Sequence, residues 1–271
     1  GEFHVDPETL TGSWSENPDG RFKIWCEVDM FGAVPVGDYT VANDVSAGVG
    51  GTGSSNSATT VYNRRTGAKV LSFASPAVLP YNLAELAIAL CRWFVGPKGD
   101  PAFLIWEDNG YGREFRTRVE QSDFRHYFKR QAANASLNAP DSKIGGYHTV
   151  KRSYLLGPYR EALLEGYFEN PDFDGVEELR QYQLGEDGEP YHVGERNKDD
   201  PGGAKAAHGD RVVADALAWW ASLRFGDQMK YAAEGKSGQN VMTVRKEEVP
   251  RDSFAYRRAK YLETLGKKKP E

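Results

Sequence analysis

Short apolar runs and one helical repeat lay out most of this chain. Residues 39–44, 58–62 and 68–73 are β-branched or aromatic stretches, the pattern of half-buried strands. Asn63-Arg64-Arg65-Thr66-Gly67 between the last two is a hairpin signal, so the three are predicted to form an antiparallel meander. Leu83, Leu86, Ala87, Leu90 and Phe94 then recur at helical spacing, which predicts an amphipathic helix over 82–94 lying on that sheet. Ala102 to Trp106 is an unbroken apolar run of the kind found in a central parallel strand. A helix from about Arg113, a strand over 124–128, a long polar loop over 131–146, a helix over 154–168 and a last helix from Asp210 to about Arg224 follow. Residues 178–183 and 190–193 flank Gly185-Glu186-Asp187-Gly188 and predict a β-hairpin.

Three segments result. Residues 1–36 are rich in turn formers and form an N-terminal arm, with one alternating stretch at Phe22-Lys23-Ile24-Trp25. Residues 37–225 carry the patterned elements, and 226–271 are a polar, loosely held tail ending in Lys267-Lys268-Lys269. A hydrophobic content of 39% over 271 residues is enough for a real core and excludes a disordered chain. No apolar run is long enough for a transmembrane helix, and the first residues lack a secretory signal, so a soluble protein is expected. Gly1-Glu2-Phe3 in place of an initial methionine reads as an expression scar on a piece of a longer chain. Cys26 and Cys91 are too few for a disulfide framework or a thiolate zinc site, which fits a reducing cytoplasm. The net charge of −5 leaves nucleic-acid binding to local patches of Lys and Arg.

The candidate chemistry lies in acids that end or open elements. Asp44 closes the first core strand and runs into a glycine-rich turn; Glu107 follows the apolar run ending at Trp106; Asp210 opens the last helix. An isolated buried carboxylate is too costly to leave ionised, so such acids need partners, a metal or water. Three of them at element ends point to a divalent metal site, and oxygen donors select Mg²⁺ or Mn²⁺ over zinc. A two-ion phosphodiesterase site needs such separated carboxylates. The element order β, β, β, α, β, α, β, α, α is that of a ribonuclease-H-like α/β sheet, an antiparallel meander followed by parallel strands, flanked by helices and here carrying an added β-hairpin.

Each acid also has a plain structural alternative. Asp44 could accept amides of the glycine turn, Glu107 could pair with an arginine, and Asp210 could cap its helix. Asp108 competes with Glu107, but adjacent strand residues point to opposite faces. Asp215 is about 140° around the helix from Asp210 and is expected in a salt bridge or behind the site. His208 could supply a proton beside Asp210 or simply be solvated. Gly48-Val49-Gly50-Gly51-Thr52-Gly53 is followed by Ser54-Ser55-Asn56 and lacks the Lys and Ser/Thr of an ATP-binding phosphate loop. The glycines are expected to let backbone approach something at the end of the strand. Arg64, Arg65, Arg113, Arg116, Arg118, Lys129, Arg130, Lys151 and Arg152 are candidates for phosphate contact.

Taken in order, Asp44-Val45-Ser46-Ala47-Gly48, Trp106-Glu107-Asp108-Asn109-Gly110-Tyr111-Gly112, Gly146-Tyr147-His148-Thr149 and the stretch from His208 to Ala218 resemble the C-terminal nuclease domain of the large terminase subunit of tailed bacteriophages. The resemblance covers residues 39–222. It implies a ribonuclease-H-like, metal-dependent endonuclease that cuts concatemeric viral double-stranded DNA, and with the carboxylate set the expected cofactors are two Mg²⁺ or Mn²⁺ ions. It also implies Asp44, Glu107 and Asp210 as the metal-binding acids, with Asn109 in a supporting turn and the hairpin tip at 185–188 beside the site. Partners would be the ATPase motor, the small terminase subunit and the portal protein, in the cytoplasm of an infected bacterium. No lysine-bearing phosphate loop of the motor is present, so the chain is expected to be the nuclease part alone. Another ribonuclease-H-like nuclease, of resolvase or integrase type, is the enzyme alternative. A silent module docking through the 12% of aromatic residues is the alternative from another class.

Overall fold

The computed structural model describes residues 1–50, 54–131, 143–193 and 209–234, with side chains of the last helix described through Arg224. The meander is present: β4 (Tyr39–Asp44), β5 (Ser57–Asn63) and β6 (Ala68–Ser75) pair antiparallel in sequence order. β7 (Phe103–Trp106) joins β4 in parallel, as its unbroken apolar run requires. On the far edge β3 (Phe22–Ile24) pairs with β6, giving the order β3-β6-β5-β4-β7. This is the ribonuclease-H-like mixed sheet expected from the order of elements.

Helices cover both faces. On one lie α1 (Pro80–Trp93), whose first position is a proline suited to a helix start, and α2 (Gly112–Gln121). On the other lie α3 (Arg152–Leu164) and α5 (Asp210–Glu234), packed on β4 and β5 through Val212, Ala216 and Trp219. The middle of α5 is buried all round from Ala214 to Trp220, save nothing more than the rim of Trp220, as a helix without a polar face must be. Between α3 and α5 the chain forms α4 (Phe173–Arg180) and a hairpin of β10 (Tyr182–Leu184) and β11 (Pro190–His192).

Within the N-terminal arm β1 (Glu2–Val5) and β2 (Gly12–Ser15) form a hairpin, Phe22 stacks on Phe73 at 4.4 Å, and buried Phe3 packs on Phe22 and Trp93. Several expectations are corrected. Residues 178–180 close α4 and Gln181 is its C-cap, rather than forming a strand, because Glu178 is held by Arg211 at the start of α5. Residues 124–128 pair with β7 through only two backbone bonds around Leu104, and the regular strand comes later, as β8 (Lys129–Gln131) against β9 (Lys143–Gly145). The last helix runs past Arg224 to Glu234. Gly226 costs about 1 kcal/mol there, which the following helix formers offset. His208 and residues 235–271 lie outside the described residues. No helix of the described residues is long and apolar enough to cross a membrane.

A buried charge network locks α5 to the sheet. Lys69 on β6 is fully buried and reaches Asp215 of α5 at 2.8 Å and Asp172, just before α4, at 3.0 Å. Thr60, Tyr159 and Asn170 donate to the remaining lone pairs of Asp215, and Ser72 donates to Asp172. Burial acts against ionisation of Asp172, but Lys69, Ser72 and Arg211 outweigh it and hold the carboxyl below its usual value. Replacing Lys69 by Met leaves two buried carboxylates short of their counter-charge and is expected to cost about 3–5 kcal/mol, read by urea denaturation. A depressed folded pKa stabilises above the unfolded value, so the contribution of Asp172 is lost as pH falls through the carboxylate range. Lys69→Met should remove much of that acid dependence.

Candidate active site

Strand register alone brings two of the three acids together. Asn43 lies opposite Trp106, and Glu107 N–H donates to the Asn43 carbonyl at 3.0 Å, so the next step along each strand sets Asp44 beside Glu107. Side chains alternate, so Asp44 follows Ala42 and Glu107 follows Ile105 toward the face covered by α5. The third acid arrives by helix geometry. Asp215 is bonded to Thr60, which pairs with Ala42; Asp210 lies five residues earlier, about 7.5 Å along the helix, or roughly two strand residues. That rise brings it level with Asp44.

Asp44, Glu107 and Asp210 line one open cavity of about 350 Å³, with Tyr111, Thr149 and Arg152 on its walls. Burial first, then the charges of Glu107 and Asp210, push the Asp44 carboxyl well above the usual range, and only Arg152 pulls the other way. Asp210 is held by the backbone N–H of Asn56, 2.7 Å from its Oδ2, at the end of the glycine-rich loop. Gly48 has φ +66°, and a Cβ there would lie 2.0 Å from the Val78 carbonyl oxygen, so this glycine serves close backbone contact next to α1. Among the described residues, no three His, Cys, Asp or Glu side chains are gathered closely enough to hold an ion as they stand. The donor set is nevertheless all carboxylate oxygen, and the crowding felt by Asp44 is what a hard divalent cation relieves.

The supporting residues divide sharply. Asn109 donates to Glu107 Oε1 at 3.1 Å and to the Thr149 carbonyl at 3.3 Å, fixing the acid's direction. The stretch at Tyr147 runs beside the end of β7, bonding Trp106 O and Asp108 N. Asp108 points to the opposite face, where Arg116 and Arg130 hold it at 2.7 and 2.5 Å. Asp215 belongs to the buried network and stands apart from the cavity.

Of the basic candidates, Arg152 lines the cavity, while Arg113 and Lys151 are exposed on the first turn of α2 and just before α3. Lys129 sits over the Tyr127 ring, and Arg130 is committed to Asp108. Arg64 and Arg65 are not brought to the cavity. Antiparallel pairing puts Asn63 opposite Tyr39, so their turn lies at the end of the sheet away from Asp44, and Arg64 is 3% exposed in a pair with Asp38.

Two positioning contacts had little sequence signal. The Asn56 contact is made by backbone, which side-chain reading does not see. Arg211, a cation in the first turn of a helix, runs against the dipole and so calls for a carboxylate partner. That partner is buried Glu178, which accepts the Arg211 backbone N–H at 2.9 Å and its guanidinium at 2.5 Å.

No family model and no curated protein matches the chain. Among solved structures, the large terminase nuclease of thermophilic phage G20c with bound magnesium is similar at a TM-score of 0.50 and 15% identity, over 78% of this chain and 93% of that one. The same nuclease with bound cobalt gives the same values. The large terminase nuclease domain of Thermus phage P74-26 matches at a TM-score of 0.46 and 15% identity, over 86% and 96%. At this identity the likeness to the G20c nuclease is one of fold: the chain has the fold of a large terminase nuclease.

A carboxyl raised by folding keeps a proton that the unfolded chain has released, so Asp44 costs stability as pH rises from the ordinary carboxylate range through its raised value. Asp44→Asn is expected to melt a few degrees higher than the parent chain in EDTA at about pH 8, with a flatter dependence on pH. Adding Mg²⁺ or Mn²⁺ should raise the melting temperature of the parent chain and leave the variant nearly unmoved.

Proposed function

We propose that this chain is the nuclease domain of a viral DNA-packaging terminase, a divalent-metal-dependent endonuclease that cuts concatemeric double-stranded DNA. The observation that carries the reading is the convergence of Asp44, Glu107 and Asp210 on one cavity, from two adjacent parallel strands and a helix end. The fold supports it, since the similar G20c nuclease was solved with magnesium and with cobalt. The reacting unit spans residues 37–225, with the first 36 residues packed on to it. In the full assembly it would work with an ATPase motor, a small terminase subunit and a portal protein, in the cytoplasm of the infected bacterium.

Asp44, Glu107 and Asp210 would hold Mg²⁺ or Mn²⁺, two ions in the complete site. Bound there, such ions supply charge neutralisation of the phosphate and activation of water for in-line attack. The protein's own contribution is to aim the donors. The β4–β7 register sets the Asp44 to Glu107 spacing, Asn109 holds the Glu107 carboxylate, and the Asn56 amide with the Glu178–Arg211 clasp sets the direction of Asp210. No protein nucleophile is needed, since water attacks the phosphodiester.

Incubating supercoiled plasmid with the chain and Mn²⁺ should give nicked and linear products, and EDTA should stop the reaction. Asp44→Asn, Glu107→Gln and Asp210→Asn should each lower the rate by about 100-fold or more while circular dichroism stays unchanged. Full activity of Asp44→Asn in Mn²⁺ would remove the assignment.

A further inference from the structure

Between the acid that follows β7 and the start of α2 the chain turns through Gly110-Tyr111-Gly112, with one aromatic side chain between two glycines. Gly110 takes the left-handed angle φ +51°, and a Cβ on Gly112 would strike the Glu107 carbonyl oxygen, so backbone geometry calls for glycine at both neighbours. The turn is held in place: Gly112 N–H donates to the Asn109 carbonyl at 2.9 Å, and Glu114 N–H donates to the Tyr111 carbonyl at 3.1 Å. Nothing in the backbone calls for a tyrosine. Its side chain lines the acid cavity, is 55% exposed, and makes no hydrogen bond, ion pair or ring contact among the described residues. Val49, 76% exposed in the loop after Asp44, lines the same cavity. Two exposed apolar side chains thus follow the acids at the ends of the adjacent strands β4 and β7. Neither buries enough surface to serve the fold. A nucleic acid whose phosphate reaches the acids lays the neighbouring sugars and bases against this rim.

We propose that Tyr111 is a specificity-determining residue of the nuclease reaction, its ring entering the base step beside the scissile phosphate and stacking on a base as that step opens. This rests on the nuclease reading above and adds to it the kind of DNA the site takes, a duplex step that unstacks easily. Apolar side chains inserted between bases are a general means of holding a kinked duplex. Every base has a π-face, so the stacking itself is tolerant of sequence, whereas the cost of opening a step is not. Pyrimidine–purine steps and mismatched pairs open readily, and A-tracts resist. A tyrosine can also serve DNA through its hydroxyl on a phosphate oxygen. Val49 on the same rim offers no donor, which favours the ring as the working part of Tyr111.

The test uses the full chain with Mn²⁺ on two fluorescein-labelled duplexes that differ only in one central mismatched pair, with the cut positions resolved on a sequencing gel. The parent chain should cut beside the mismatch about tenfold faster than at the same positions of the matched duplex. Tyr111→Ala is expected to bring that ratio down to about twofold or less, and Tyr111→Phe, which keeps the ring, should retain it. A purely structural role would change the overall rate and leave the ratio alone. Both variants should melt within about two degrees of the parent chain, since the side chain replaced is exposed, and Tyr111→Ser serves if the alanine variant does not. An unchanged ratio in Tyr111→Ala would overturn the proposal. So would a Tyr111→Phe that behaves as alanine does, because the role would then belong to the hydroxyl, or an active parent chain with no preference for the mismatch. All three leave the nuclease reading intact. A parent chain that cuts neither duplex in Mn²⁺ would overturn both.

Discussion

Lys69 carries its charge to a place that water does not reach, and it is tolerated there because Asp215 and Asp172 stand at 2.8 and 3.0 Å. This small network sets how α5 lies on the sheet, both along its axis and around it. Once Asp215 is bonded to Thr60 and Lys69, the turn of the helix leaves Asp210 no choice but the level of Asp44. Asp172 extends the same network toward Arg211 and Glu178, so the helix end that bears Asp210 is braced from α4 as well. Buried ion pairs contribute little net stability compared with apolar packing, and their use is to select one arrangement over others. Here the arrangement selected is the one that lets three distant acids meet.

The acid cavity shows the opposite economy. In the network every carboxylate has a cation or several donors, whereas Asp44 faces two further carboxylates and is offset by Arg152 alone among the influences that act on it. Such local conflict is disfavoured in a core that only has to fold. It persists because the surrounding elements over-determine it: a parallel register on one side, a braced helix end on the other, and Asn109 holding Glu107 from the loop beyond. An arrangement of this kind is pre-set for a ligand of opposite charge.

Charge on this molecule is local in its meaning. With a net charge of −5 the chain as a whole does not attract DNA, and several of its arginines are internal fittings. Arg64 binds Asp38, Arg116 and Arg130 bind Asp108, and Arg118 binds Glu85. Counting basic residues along the chain therefore overstates the surface available to phosphate. The exposed basic residues on the first turns of α2 and α3 and just before α3 are Arg113, Lys151 and Arg152. Glu189 on the hairpin already meets the start of α3, which ties the hairpin to this rim.

The linear pattern was informative where one element's own periodicity decides its state. β4, β7 and the start of α5 could be read from apolar runs and from an acid at each end, because burial on a face leaves a repeat of two or 3.6 residues in the chain itself. That also placed Asp44, Glu107 and Asp210 at element ends and separated Glu107 from Asp108 by strand alternation alone. Residues 178–181 went wrong as a strand because their helix is short and is held by Glu178 reaching across to Arg211, a contact with no local trace. The pairing of β3 with β6, the Asn56 amide beneath Asp210 and the burial of Arg64 were likewise decided only in the folded molecule. Each depends on which backbone or charge arrives from a distant part of the chain, and a side chain's neighbours in sequence carry no record of that.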